Sequence, residues 1–132
     1  MTLRLILVRH GLSSFNKEGR IQGRTDLSIL TEEGHSQAVA AGRTLASIPI
    51  DVIYSSPLKR ASETSRIIIN QLQQKLEPVF TDDLLEVDLD NWSGLTKAEL
   101  KKLYPEKLSA WEKEPKDLSI DRKNGTSFEP VK

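Results

Sequence analysis

Six residues near the start, Leu3-Arg4-Leu5-Ile6-Leu7-Val8, run into Arg9-His10-Gly11. A nearly unbroken Leu/Ile/Val stretch of this length reads as a β-strand covered on both faces. Strands of that kind belong to parallel α/β sheets, in which ligands collect just beyond the carboxyl ends. Arg9 presents a planar fork of donors suited to phosphate oxygens, and a neutral imidazole at His10 can attack phosphorus. Gly11 lets the backbone turn away sharply, so that an anion can come close. The plain alternative is a charged residue closing a strand, followed by a surface histidine.

The rest of the chain alternates strand and helix signals, which argues for α/β architecture with right-handed crossovers. Leu12-Ser13-Ser14-Phe15-Asn16 supplies short polar side chains, and Gly19-Arg20-Ile21-Gln22-Gly23-Arg24 is a basic loop with two glycines. Thr31 suits an N-cap for a helix over residues 32–46, with Ala38, Ala41 and Leu45 on one face and Ile48 beyond. A second strand at 52–55 leads to Ser56-Pro57, and Pro57 suits the first helical position. Leu58, Ala61, Ser65, Ile68, Leu72 and Leu76 then recur at helical spacing. Residues 79–81 are a short strand candidate. Thr96-Lys97-Ala98-Glu99 is a capping-box signature for a helix reaching Leu103, and one more short helix follows from Pro105 to Lys113. Residues 114–132 are polar, proline-flanked and expected to be flexible, with a turn at Asn124-Gly125.

Taken in order, these blocks resemble the histidine phosphatase superfamily, the phosphoglycerate-mutase-like enzymes. The resemblance is carried by Arg9-His10-Gly11 through Asn16, Gln22-Gly23, and Leu30-Thr31 with Gly34 and Gln37. It continues through Ser55-Ser56-Pro57-Leu58 with Arg60-Ala61 and Thr64, then Leu85-Glu86 and Trp92-Ser93-Gly94. It implies a three-layer α/β/α fold with a mainly parallel sheet. It also implies that His10 takes the phosphoryl group as a phosphohistidine, which water or a second substrate resolves. Arg9 and Arg60 match the family's phosphate-clamping arginines. Asn16, Ser13 and Gln22 would line the phosphate pocket, and Gly23 would keep its rim open. Glu86 matches the proton donor for the leaving oxygen, which needs partial burial or a nearby phosphate to stay protonated. Arg60, in the first turn of a helix, would also sit where free N–H groups favour an anion.

The resemblance further implies a second histidine on a later strand, beside the nucleophile and between the Arg-His-Gly strand and the Ser-Ser-Pro strand. The chain has two histidines, and His35 sits in the wrong element for that task. Near the end Gly125-Thr126-Ser127 stands where many relatives have Gly-Glu-Ser. The expectation is therefore a family domain over residues 1–132 that stops before the strand bearing the second histidine. Without that strand, the edges of 3–8 and 52–55 lose the neighbour they share, and bare apolar edges invite aggregation.

Each candidate also has a plain structural reading. Arg60 could be a solvated helix residue, and Glu86 belongs to an acidic segment of the kind that forms solvated loops. An EF-hand starting at Asp88 fails because Ser93 stands where glycine is needed. Trp92 and Trp111 read as packing residues.

With 19 basic and 19 acidic residues, the chain lacks the basic excess of a nucleic-acid binder. The absence of cysteine excludes thiol nucleophiles, disulfides and cysteine-ligated zinc. Its 132 residues suffice for one core, and no signal-peptide or membrane-spanning pattern is present. The expectations are a small phosphorylated substrate, no cofactor or metal, no membrane or nucleic-acid partner, and cytoplasmic location by default. Oligomeric state is not legible.

Three functions follow. The first is a phosphatase acting through His10, and the second is a mutase of the same chemistry. The third, from another class, is an inactive phosphate- or partner-binding module, for which the missing second histidine argues. The chain lacks the paired-arginine insert of glycolytic mutases, and its segment from Glu86 to Gly94 is short, which favours the phosphatase.

Overall fold

The computed structural model describes residues 1–115 and, for the backbone alone, residues 120–121 and 127–128. Helix α1 is one turn, Ser14–Lys17, capped by the Ser13 hydroxyl, which accepts from the Asn16 N–H. Helix α2, Glu32–Leu45, begins where Thr31 was expected to cap it, its hydroxyl accepting from the Gly34 N–H at 3.0 Å. Gly34, Ala38 and Gly42 recur at four-residue steps and form its buried stripe. A Cβ on Gly42 would lie 2.8 Å from the Gln71 side chain and 3.0 Å from the Ile68 Cα. The missing side chain therefore sets how closely α2 approaches α3, Lys59–Gln71.

Helix α3 differs from its expected form in three respects. It starts at Lys59 rather than Pro57, with Leu58 as an N-cap that makes no side-chain cap bond. The Asp26 carboxylate instead accepts from the Lys59 N–H at 2.8 Å, so a side chain from a distant loop caps the helix. It ends at Gln71, before Leu76, and its buried face is Arg60, Thr64, Ser65 and Ile68. The face is rotated because the loops it meets present polar backbone at Gly11, Gly23 and Thr25, which Thr64 and Arg60 satisfy.

Strand β1, Tyr54–Ser55, pairs in parallel with β2, Val79–Phe80, across α3, giving one β-α-β crossover. Ile53 O accepts from the Val79 N–H at 2.8 Å, and Ser55 O from the Thr81 N–H at 3.0 Å. Of the expected strand at 52–55, Tyr54 and Ser55 are the paired strand residues, and Ile53 contributes one carbonyl to the ladder.

The strand expected at residues 3–8 is not in a sheet among the described residues. Leu3, Leu5 and Leu7 are 89%, 74% and 84% exposed, whereas Ile6 and Val8 are 38% and 48% exposed. Ile6 and Val8 are less exposed than the leucines, and Val8 lines a small hollow together with Ala38 and Ala41 of α2. A strand is held by a neighbour's ladder, and no described segment supplies one here.

A second cluster forms the apolar core. Leu89, Trp92, Leu100 and Leu108 are buried together, with Ile21, Leu95, Tyr104 and Trp111 against them. Helix α4, Lys97–Leu103, carries the expected capping box between Thr96 and Glu99, and α5, Pro105–Lys113, opens on proline. The Trp92 ring lies 6.2 Å from Tyr104 and 5.4 Å from Trp111 between centroids, so both tryptophans pack as expected. Strands β3, Ile120–Asp121, and β4, Ser127–Phe128, form an antiparallel pair. The turn expected at Asn124-Gly125 lies outside the described residues, as does most of the segment expected to be flexible.

Candidate active site

The site begins with a wedge of backbone. Gly11 passes between α2 and α3, its N–H donating to the Thr64 hydroxyl of α3 at 3.1 Å. A Cβ on Gly11 would fall 2.3 Å from Gly34 O, and one on Gly34 would fall 2.2 Å from Leu12 O. Gly11 has no positive φ, so it is needed for close approach rather than for the sharp turn expected of it. The Leu12 N–H donates to Gln37 Oε1 at 2.8 Å, and Leu12 O accepts from the Thr31 hydroxyl at 2.9 Å. These contacts hold the backbone on both sides of His10's neighbour and so place the imidazole.

His10 is half-buried, and its Nδ1 lies 2.7 Å from Gly11 O. A carbonyl can only accept, so this contact assigns the proton to Nδ1 and leaves the lone pair of the neutral ring on Nε2. Burial lowers the imidazole pKa below 6.5; the Gly11 hydrogen bond opposes this, the Arg60 and Arg9 cations add to it, and Glu86 opposes it again. The ring is thus held neutral, the form a nucleophile requires. A small hollow of about 70 Å³ beside it is lined by Arg9, Gln37, Ala38, Ala41 and Thr64, among others. A larger, apolar cavity of about 410 Å³, edged by Ile21, Leu100, Leu108 and Trp111, shares no lining residue with it.

Arg60 is 1% exposed, which rules out the solvated-helix reading. Its two terminal nitrogens donate to Thr25 O at 2.9 Å and Gly23 O at 2.7 Å, so the loop after Gln22 folds around the guanidinium. Burial lowers its pKa, and the Glu86 and Asp26 carboxylates oppose that. Gly23 has φ +53° and is buried, with Ser93 and Leu89 close to where a Cβ would stand. Its part is therefore to aim a carbonyl at Arg60, not to keep a rim open. The anion expected at the start of α3 is in this structure the Asp26 carboxylate.

Ser13 is fully buried. Its oxygen caps α1 and lies 2.6 Å from Gln22 Oε1 and 3.0 Å from Asn16 Oδ1, and Ser28 Oγ lies 2.7 Å from the same Gln22 oxygen. Ser13 thus works as a strut between the helical turn and the loop. Asn16 and Gln22 are half-buried around it, each amide held by its oxygen end in the assigned orientation.

Arg9 is exposed and has no hydrogen bond to protein among the described residues, which leaves its whole fork for a ligand. Glu86 is also exposed, and its Oε1 accepts from the Val87 N–H at 3.1 Å. Its electrostatic effect on both His10 and Arg60 places its charge in the field of the site. Sequence reasoning gave no role to Thr64, Asp26, Ser28 or Arg24. Thr64 was findable, since it lies one helical turn past Arg60 on the same face; the other three contacts depend on loop paths. His35 is exposed and pairs with Glu63 of α3 at 2.9 Å. Among the described residues there is no group of three metal-binding side chains, and no helix is long and apolar enough to cross a membrane.

The profile of the histidine phosphatase superfamily (branch 1) matches residues 5–132. A probable 2-carboxy-D-arabinitol-1-phosphatase of Arabidopsis thaliana is 42% identical over 120 residues, covering 91% of this chain and 24% of that protein. Phosphoserine phosphatase 1 of Hydrogenobacter thermophilus is 41% identical over 113 residues, covering 86% of this chain and 52% of that protein. Among solved structures, the alpha-ribazole phosphatase of Shigella flexneri superposes with a TM-score of 0.75 at 27% identity, covering 92% of this chain and 57% of that one. The chain therefore spans about a quarter to a little over half the length of these relatives.

Proposed function

The chain belongs to the histidine phosphatase superfamily, and on that footing we propose that it hydrolyses a small phosphate monoester through a phosphohistidine on His10. The observation that carries this reading is the hydrogen bond from Nδ1 to Gly11 O, which leaves Nε2 unprotonated. The Nε2 lone pair forms the N–P bond as the P–O bond to the alcohol breaks, and Glu86 passes its proton to the departing oxygen. Water then attacks phosphorus and gives a proton back to Glu86, the N–P bond breaks, and inorganic phosphate leaves. Arg9 and Arg60 neutralise the equatorial oxygens, where charge is held through the transfer. Asn16 and Gln22 would bind the phosphate, Ser13 braces them, and Gly23 keeps Arg60 aimed.

Relatives include both phosphatases and mutases. Hydrolysis is favoured over transfer because the groups facing His10 are open to water: Arg9 and Glu86 are exposed. Phosphate binding without turnover is a second reading, supported by His35, whose ring is engaged with Glu63 rather than serving the nucleophile.

The test is release of phosphate from a generic aryl phosphate by this chain and by His10→Ala. Turnover that disappears in the variant is the expected result. Soluble, folded chain that binds phosphate yet shows no turnover above the variant would replace hydrolysis with the second reading.

A further inference from the structure

We propose that Arg24 recognises a carboxylate on the alcohol portion of the substrate, making it a specificity residue for phosphate esters of small carboxylic acids. The inference rests on the phosphomonoesterase reading above and narrows its substrate class.

Arg24 is pinned between two parts of the site. The Gly23 carbonyl before it is held by Arg60 at 2.7 Å, and its own Nε–H donates to Glu86 O at 2.8 Å. The positive φ of Gly23 makes this path possible. Arg24 is exposed, and its four terminal N–H groups have no protein acceptor among the described residues. It is thus anchored by one edge with its fork uncommitted, the state in which a planar guanidinium loses least freedom on binding.

The phosphoryl group already has two cations. Arg9 contributes a free fork, and Arg60 keeps three of its five N–H groups after bonding Thr25 and Gly23. Arg24 stands instead at the backbone of Glu86, the residue that protonates the leaving oxygen. A group meeting Arg24 is therefore assigned to the leaving alcohol rather than to the phosphoryl group. A carboxylate matches the fork bidentately, whereas a hydroxyl or an apolar group does not. No acidic side chain competes for this fork, since the one contact to Glu86 is to its carbonyl.

The experiment is calorimetric binding of two non-hydrolysable ligands, 3-phosphonopropionate and propylphosphonate, which differ at one end by a carboxylate. The wild-type chain is expected to prefer the carboxylate ligand by about tenfold, the value of one charge-assisted pair near solvent. Arg24→Gln is expected to erase that ratio, and Arg24→Lys to keep part of it, with propylphosphonate as the reference within each variant. Circular dichroism of each variant checks the fold. A wild-type ratio near one, or a ratio that survives in Arg24→Gln, overturns the proposal and leaves the phosphatase reading standing. Failure of the wild type to bind either phosphonate overturns that reading and this proposal together.

Discussion

Residues 3–8 and residues 11–16 are separated only by Arg9 and His10 and meet opposite fates. The first are the most apolar stretch in the sequence, and their leucines stand in solvent. The second include Gly11 and Ser13, neither strongly apolar, and both are buried. Gly11 is held by Thr64 and pressed against Gly34, and Ser13 sits among Asn16, Gln22 and the capped turn. Burial thus follows the available partners rather than hydropathy alone. An extended apolar segment needs a ladder for its backbone and cover for both faces, and the described residues give it no ladder and little cover. A polar turn carries its own satisfaction by capping and side-chain bonds, and it can be buried locally.

The strongest way to break this contrast is Gly11→Ala. With backbone 2.3 Å from the new Cβ, α2 must shift, at an expected loss of about 3 kcal/mol by denaturant titration. The anion site should be lost with it, because His10 moves too. A neutral substitution would show that the wedge is looser than its distances say.

The next effect is pH-dependent. Because burial holds the His10 pKa below 6.5, the neutral ring should persist into mildly acidic solution, and NMR titration of its Hε1 proton checks this. In stability, a depressed folded pKa gives a contribution present above pH 6.5 and lost as pH falls through the folded value. Arg9→Gln removes a nearby cation and should raise the pKa. A ring titrating at or above 6.5 would mean that His10 is solvated like the leucines before it.

The smallest effect is expected at the bare leucines. Leu7→Ser should change stability by less than about 0.5 kcal/mol, since the side chain has little cover to lose. It should also reduce self-association in sedimentation, because exposed apolar edges recruit one another. A loss of several times that size would show residues 3–8 covered in solution.

Some of this was legible from residue order. The capping box of Thr96 and Glu99, the cap at Thr31 and the proline opening α5 follow from contacts within one turn, and each stands where it was read. Arg9, His10, Arg60 and Glu86 could be named as a set because motif order survives any loop path. The strand at 3–8, the span and buried face of α3 and the reason for Gly11 were not legible in the same way. Each depends on a segment far away in sequence: a ladder partner, the loop around Arg60, and Gly34.

By itself, then, the sequence determined which chemical groups the chain possesses and which local turns and helices begin where, because those are settled by neighbours three or four residues apart. Only the tertiary structure decided that Arg60 is buried, that the His10 proton sits on Nδ1, that Ser13 is buried between Asn16 and Gln22, and that Arg24 reaches Glu86. These are pairings across 1 to 62 residues. Even the shortest, from His10 to Gly11 O, depends on the wedge that α2 and α3 form around the glycine.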